Sequence, residues 1–210
     1  MWQLDKYRQC IAGLHEKYPK IVRFGSFSLT NISDILQKVR AIPQDACFID
    51  FTVLRENNPD NLILACIASR DGTVKAVPIP VDKSFSDNCH IYHEILSYAS
   101  LEGMQGEDKY LWKGQDGSYK IVTDNEYTES DAKRVRTTQE LENARQELAA
   151  RISASLIAPI KDVIPASASR WIISPDGALN NVPFETLVYN GKALIDSKDV
   201  SYVPSLSVMK

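Results

Sequence analysis

The sequence lacks the features that mark several large classes of protein. No apolar run approaches the roughly 18 residues that a membrane-spanning helix needs, and charged side chains already occur within the first eight residues, unlike in a signal peptide. Lys and Arg number 24 against 27 Asp and Glu, so the net charge of -3 provides no basic surplus for a phosphate backbone. We therefore expect a cytoplasmic protein that binds neither membranes nor nucleic acid directly.

Cysteine is scarce, and the cysteines do not form a recognisable motif. Cys10, Cys47, Cys66 and Cys89 show no CxxC spacing, which favours reduced thiols over a disulfide framework. Glycine patterns of the GxxxxGK[ST] and GxGxxG type, which hold nucleotide phosphates, are also absent. These absences argue against nucleotide chemistry and predict that the protein needs no cofactor and no metal ion.

The remaining composition is that of an ordinary globular protein. Hydrophobic residues make up 44% and charged residues 24%, which argues against disorder. A chain of 210 residues buries roughly 70% of the surface that its unfolded form exposes, so it can build a core without crosslinks. No internal repeat or low-complexity tract is present.

Helical periodicity recurs along the chain. A short helix is predicted from Asn31 or Ser33 to the residues before Pro43, and residues 85–99 also have a helical pattern. A further amphipathic helix is predicted before these two, near the start of the chain, and it ends at Pro19. Its apolar residues recur at steps of three and four: Leu4, Tyr7, Ile11, Leu14 and Tyr18.

The strongest periodic pattern covers residues 138–160. Thr137 and Glu140 have the spacing of a capping box, and Glu147 and Arg151 form an i,i+4 pair on the polar side. The apolar stripe predicts a long helix packed against a sheet, and it consists of Leu141, Ala144, Leu148, Ile152, Leu156 and Ile160.

Between the first helices and the long one, the period changes to that of extended chain. Residues Ala46–Leu54, 62–68 and 73–79 are rich in β-branched and aromatic side chains and are joined by polar loops. Pro78 and Pro80 exclude a central position for the third strand, because proline lacks the N–H that a ladder needs. We predict an antiparallel meander, followed near the end of the chain by strands at residues 171–173 and 198–204.

Residues 102–127 interrupt this pattern with a polar, glycine-rich stretch. A hairpin is predicted around Asp116 and Gly117, and we expect the stretch to be a surface insertion. Tyr110, Trp112 and Tyr119 are large side chains in polar surroundings, so we expect them to bind a partner protein.

One His/Cys cluster, at Cys89, His90 and His93, could carry chemistry. A nucleophile needs its base within hydrogen-bonding distance, and adjacent helical residues point about 100° apart. A zinc site could use both histidines but lacks two further ligands at a recognisable spacing. Capping or solvated histidines beside a core cysteine are the favoured interpretation, and the small zinc enzyme remains an alternative.

Other candidate groups also have simpler structural explanations. Asp45, Asp50 and Glu56 lie in or beside the first strand, but nothing in the sequence fixes their separation. The Ser174 to Gly177 turn could bind a substrate or simply connect two elements, and Pro183 with Phe184 is interpreted as a core plug.

Five phrases of the sequence, in order over about 50 residues, resemble the CHAT family of caspase-like cysteine peptidases. They are a Leu-Ile-x-Pro-Ile phrase at 156–160, a strand with a Pro-Asp-Gly-x-Leu turn at 171–179, a Pro-Phe-Glu-x-Leu start at 183–187, a Leu-Ile pair at 194–195, and a Tyr-x-Pro-Ser phrase at 202–205. The helix before Pro43 and the strand after it are also similar to the opening of that family.

The resemblance implies a caspase-like mixed α/β sheet flanked by helices, with residues 1–210 forming the amino-terminal, non-catalytic part. In this family the general-base histidine and nucleophilic cysteine follow later strands, so we expect the dyad downstream of residue 210. We assign no catalytic role to His15, His90, His93 or the four cysteines. This segment alone is expected to be inactive.

Three functions follow as expectations. The chain is first interpreted as the scaffold and regulatory part of a cysteine endopeptidase, whose partners are its downstream catalytic half, a protein substrate or regulator, and tetratricopeptide repeats. The second is a pseudo-peptidase module that binds a protein through residues 102–127. The third is the zinc enzyme at Cys89, His90 and His93.

Overall fold

A five-stranded mixed sheet forms the centre of the computed structural model, which describes residues 32–54, 61–98, 100–123 and 132–204. The predicted helix at residues 4–18 lies outside the described residues, as do His15 and Glu56. Five strands form the sheet: β1 Ala46–Leu54, β2 Asn61–Ser69, β3 Val74–Val81, β7 Arg170–Ser174 and β10 Asp199–Tyr202. Their order across the sheet is β10, β7, β1, β2, β3, and the α/β fold class is confirmed.

The first three strands form the predicted antiparallel meander. Ile63 of β2 pairs with Val53 of β1 on one side and with Ile79 of β3 on the other. Pro78 and Pro80 are exposed on β3, which forms an edge of the sheet as expected for strand prolines.

The remaining strands run parallel to β1. Ile49 of β1 pairs with Ile173 of β7, and Tyr202 of β10 pairs with Ile173 on the other side. Parallel neighbours need crossover connections, and the chain between β3 and β7 supplies one that contains helices.

Four α-helices, a small second sheet and a two-stranded ribbon surround the large sheet among the described residues. The helices are α1 Ile32–Ala41, α2 Phe85–Leu96, α3 Leu101–Gly106 and α4 Thr138–Leu156. The second sheet, in the order β5, β4, β6, contains β4 Tyr110–Lys113, β5 Tyr119–Val122 and β6 Lys133–Arg134. Short 3-10 turns at Gly177–Asn181, Phe184–Thr186 and Leu194–Asp196 flank the two-stranded ribbon of β8 Val188–Tyr189 and β9 Lys192–Ala193. No helix of the described ranges has the length and apolar character needed to cross a membrane.

The amino-terminal cap of α4 differs in one detail from the predicted capping box. The Thr137 hydroxyl accepts the N–H of Glu140 at 3.1 Å, as expected, but the Glu140 carboxylate accepts the N–H of Arg136 at 2.8 Å. This hydrogen bond, with Lys133 adding a second, lowers the pKa of Glu140 to about 2. The helix ends at Leu156, four residues earlier than predicted, because Pro159 has no N–H to continue the ladder.

The predicted stripe of α4 is buried in the larger of two hydrophobic cores. Leu141, Leu148 and Leu156 are fully buried and Ile152 is 1% exposed. This core fills the space between the sheet, α2 and α4, with Trp171 and Phe51 among its largest fully buried side chains. A smaller core lies on the opposite face of the sheet, where α1 contributes Val39 and the residue after the helix contributes Ile42.

The described part of segment 102–127 differs from the expected surface insertion. Met104 and Leu111 are fully buried, and Tyr119 is only 5% exposed. Tyr119 donates a hydrogen bond from its hydroxyl to Glu147 of α4 at 2.9 Å, and Lys113 forms an ion pair with the same carboxylate at 2.8 Å. The small sheet is therefore packed onto α4 and contributes to the core, through apolar residues too sparsely spaced to give a clear sequence pattern.

Replacing Leu148 or Ile152 by Ala should lower the free energy of unfolding by about 2 to 5 kcal/mol, because each change leaves a cavity in the larger core. Urea denaturation followed by circular dichroism measures this loss. Gln146→Ala on the exposed side of the same helix is the matched control and should change stability by less than about 0.5 kcal/mol. Losses as small as the control's at both core positions would contradict the assigned face.

Candidate interface at the carboxyl ends of the parallel strands

The three parallel strands β1, β7 and β10 end at the same edge of the sheet. In open α/β sheets, ligands bind outside the carboxyl ends of parallel strands, so this edge is the candidate functional region. The chain leaves β7 through the Pro175, Asp176 and Gly177 turn, and it leaves β10 through Val203 and Pro204. Gly177 has a φ of 56°, a left-handed conformation that glycine adopts without strain.

Side chains of β7 and its turn hold the three strand ends together. The Asp176 carboxylate accepts the backbone N–H of Val53 at 3.0 Å, which joins the turn to β1. The hydroxyl of Ser174, a buried side chain, donates to the Pro204 carbonyl at 3.2 Å, which joins β7 to the segment after β10. The Pro-Asp-Gly turn thus has a structural role in fixing this edge.

Tyr202 links β10 to the Pro-Phe-Glu turn. Its hydroxyl accepts the backbone N–H of Phe184 at 2.8 Å and donates to the Glu185 carboxylate. Its ring packs edge-on against Phe184 with centroids 6.3 Å apart, and Phe184 in turn stacks on Phe51 of β1 at 5.3 Å. Burial, reinforced by the hydrogen bond to Glu185, raises the pKa of Tyr202.

Asp50 is the half-buried carboxylate of this region. Burial raises its pKa, although the hydroxyls of Ser174 and Thr52 lower it, and the negative charge of Asp176 raises it further. Asp45 lies at the other end of β1, about 17 Å away along an extended strand, where it forms an ion pair with Arg170 at 3.9 Å. Asp45 and Asp50 therefore do not form an acid/base pair.

The described residues do not place a thiol beside an imidazole in the manner of a peptidase dyad. Cys89 is fully buried in the larger core, whereas His90 and His93 are exposed. Burial raises the pKa of the thiols of Cys89 and Cys47 to about 12, so the reactive thiolate is strongly disfavoured at both positions. Among the described residues there is also no cluster of three or more His, Cys, Asp or Glu side chains that could hold a metal ion.

The predicted partner-binding residues occupy different environments in the small sheet. Tyr110 and Trp112 are half-buried on β4, and the guanidinium carbon of Arg134 lies 4.2 Å from the centroid of the Tyr110 ring. Tyr119 belongs to the core, so its ring is not available as a surface anchor. A partner role for Tyr110 and Trp112 stays a prediction.

The outer side of β10 is the open edge of the parallel half of the sheet. The N–H groups of Asp199 and Val203 donate to carbonyls on the β7 side, so the amides of Val200 and Tyr202 point away from the sheet. No strand within the described ranges pairs with this side. Unpaired amides and carbonyls in such a row are a template for an added strand.

These features define the class of the domain: a mixed α/β sheet whose candidate functional edge joins β1 to β7 and β10 of the carboxyl-terminal third. Residues 146–210 match the model of the CHAT domain, and this match runs from the middle of α4 through β7 and β10. The resemblance drawn from the sequence is confirmed over these residues, which are less than a third of the chain. No curated protein matches the chain.

Sequence reasoning found the family's phrases but not the contacts between them. The Pro-Phe-Glu-x-Leu and Tyr-x-Pro-Ser phrases meet through the hydrogen bonds of Tyr202 to Phe184 and Glu185. The Pro-Asp-Gly turn meets β1 through Asp176 and Val53. The polar side chains of Asp176, Glu185 and Tyr202 within these phrases were the only sequence signal for such contacts.

Tyr202→Phe should lower the free energy of unfolding by about 1 kcal/mol, because the N–H of Phe184 loses its acceptor while the ring contact remains. Guanidinium denaturation measures the change. Tyr189→Phe, which keeps the edge-on contact of that ring with Trp171, is the control and should shift stability by less than about 0.5 kcal/mol. Equal effects of the two substitutions would show that the Tyr202 hydroxyl does not hold the turn.

Proposed function

We propose that this chain is the amino-terminal scaffold and regulatory part of a CHAT-type cysteine peptidase, with its catalytic histidine and cysteine C-terminal to residue 210. The observation that carries the proposal is the family match at residues 146–210, which coincides with β7, the Pro-Asp-Gly turn and β10. These elements build one edge of the sheet and leave the outer side of β10 without a strand among the described residues.

The chemistry of the family favours this division. Peptide hydrolysis by a cysteine needs a thiolate beside an imidazole, with donors positioned for the developing oxyanion. Cys47 and Cys89 are fully buried and their thiols have raised pKa values, so neither is suited to attack a peptide bond. These two thiols are therefore poor nucleophiles, and in this proposal the nucleophile comes from another segment.

The scaffold would act by presenting the carboxyl edge of its parallel strands. In this proposal the downstream half adds a strand to β10. The turns held by Asp176 and Tyr202 form the surface against which that half packs. A protein substrate, a regulatory protein or tetratricopeptide repeats would be recognised by the assembled domain.

A pseudo-peptidase that binds a partner without catalysis is the second candidate. Tyr110 and Trp112 favour it, because both rings keep part of their surface open on the small sheet, and such residues dominate many interfaces. Under this alternative the extended protein binds its partner but cleaves nothing.

The test compares this chain with the chain extended through the residues encoded after Lys210. Each is incubated with a library of fluorogenic peptides, and hydrolysis is measured. We expect no hydrolysis by residues 1–210 and hydrolysis by the extended protein, because only the extended protein would contain a thiolate next to an imidazole.

Cys89→Ala in both proteins is the control, and circular dichroism verifies that it folds. Activity of the extended protein should survive this change. Hydrolysis by residues 1–210 that disappears in Cys89→Ala would overturn the proposal and return the chemistry to the Cys89 region. A folded extended protein without activity would favour the pseudo-peptidase.

A further inference from the structure

A cleft of about 510 Å³ lies at the end of the sheet opposite to the candidate interface. Ile67 and Ser69 of β2 line its bottom, and Ser69 pairs with Cys47 at the start of β1. Leu54, where β1 ends, is about 23 Å from Cys47 along the extended strand. Small-molecule sites have volumes of roughly 300 to 1,000 Å³, so the cleft is large enough to hold a ligand of its own.

Three segments form the walls of this cleft. The hairpin of β2 and β3 contributes Lys75, and residues 161–166, which follow α4, contribute Lys161 and the buried Ile164. The third wall is Tyr189 of β8, whose ring is held in place by an edge-on contact with Trp171 at 5.2 Å between centroids. Apolar groups inside and polar groups at the rim are the usual lining of a small-molecule site.

Ser69 is a buried polar residue of the cleft whose side chain has no partner. It is 8% exposed, and its hydroxyl forms no hydrogen bond with another described residue. Its backbone is bonded within the hairpin, where its N–H donates to the Thr73 carbonyl at 3.0 Å and its carbonyl accepts the N–H of Gly72 at 2.9 Å. Buried hydroxyls are normally hydrogen-bonded, because removal from water is otherwise costly. The Ser69 hydroxyl therefore points to a ligand in the cleft.

Lysine side chains supply positive charge to the same cleft. The ammonium groups of Lys75 and Lys161 line it, and neither forms an ion pair or a hydrogen bond within the described ranges. The Lys198 ammonium lies 5.8 Å from the centroid of the Tyr189 ring and adds a third cation beside this wall. An anionic group in the cleft would therefore be attracted from more than one side.

Two carboxylates also line the cleft, and they do not cancel this charge. Asp71 accepts the N–H of Thr73 at 2.8 Å, so its carboxylate already has a role in the turn of the hairpin. Asp162 is exposed at the rim and has no partner in the part of the chain that the structure describes. Two lysines and one carboxylate of the lining thus remain to be matched by a ligand, which favours an anion.

We propose that this cleft binds a small organic anion that combines an apolar body with an oxyanion group, either a carboxylate or a phosphate. The oxyanion interacts with the ammonium groups of Lys75 and Lys161 and accepts the Ser69 hydroxyl. The apolar body packs on Ile67 and Ile164. This site lies away from the carboxyl ends of the parallel strands, so the proposal does not depend on the peptidase assignment.

A titration followed by amide NMR of the 210-residue chain tests the site. Benzoate and phenyl phosphate are the two anionic probes, and benzamide is the neutral control. We expect at least one anion to bind with a dissociation constant of about 1 mM or below and to shift amides of residues 67–75 and 161–166. The tighter probe identifies the oxyanion. Binding of neither anion, shifts confined to other residues, or equally tight binding of benzamide would overturn the proposal.

Substitutions of exposed residues test the role of charge. Lys75→Gln and Lys161→Gln should each weaken binding of the tighter anion about three- to tenfold, whereas Asp162→Asn should strengthen it about twofold. Lys83→Gln is the matched control, because Lys83 is also exposed and follows the far end of β3. Its affinity should equal that of the unchanged chain. Equal effects of the three lysine substitutions would contradict the assigned site.

Ser69→Ala tests the buried hydroxyl separately from the charges. The affinity for the anion should fall about fivefold, because a hydrogen bond to the ligand is lost. Urea denaturation without ligand should give an unchanged or higher stability, because the hydroxyl has no partner among the described residues. Unchanged affinity in this variant would overturn the proposal, as would a loss of stability in the absence of ligand.

Discussion

The parallel pairing of β1 with β7 is the contact on which the rest of the domain depends. Its register joins Cys47 to Trp171 and Asp50 to Ser174, across more than 120 residues of chain. Without it, the segment that matches the CHAT domain would have no sheet to extend, and β1, the central strand of the five, would lose one of its two neighbours. Closing so long a loop costs entropy, which is recovered when Trp171 and Ile173 become fully buried.

Patterns within single elements made much of this fold predictable. The apolar residues of α4, β1 and β2 repeat at helix or strand spacing within each segment. The sequence therefore predicted whether each segment is a helix or a strand, and which face is buried. The hairpin of β4 and β5 was also predicted, from the turn at Asp116 and Gly117, and it is confirmed. Its burial was not predicted, because Tyr119 is buried by its contact with Glu147, 28 residues away. The same applies to Tyr202, whose partners Phe184 and Glu185 are brought to it by folding. Such contacts depend on tertiary packing between distant segments. The hydrophobic repeat of a single strand or helix carries no information about them.

The chemistry of the described thiols and carboxylates follows from burial. Cys47 and Cys89 behave as small apolar side chains, since removal from water disfavours their thiolates. Asp50 is held in a more ambiguous environment, where burial opposes ionisation and neighbouring hydroxyls favour it. Asp50, Ser174 and Asp176 thus bring polar groups together near the carboxyl ends of β1 and β7.

The two outer strands of the large sheet are chemically unequal. Pro78 and Pro80 have no backbone N–H, so β3 offers two fewer donors to a strand added at its outer side. Among the described residues no strand pairs with the outer amides of β10, so an added strand is better accommodated beside β10 than beside β3. Strands added beside β10 would take the same place, whether they came from the same polypeptide or from another chain. A strand bound beside β10 would exclude any other strand from that position. The different proline content of the two edges would thus make added strands compete for one site.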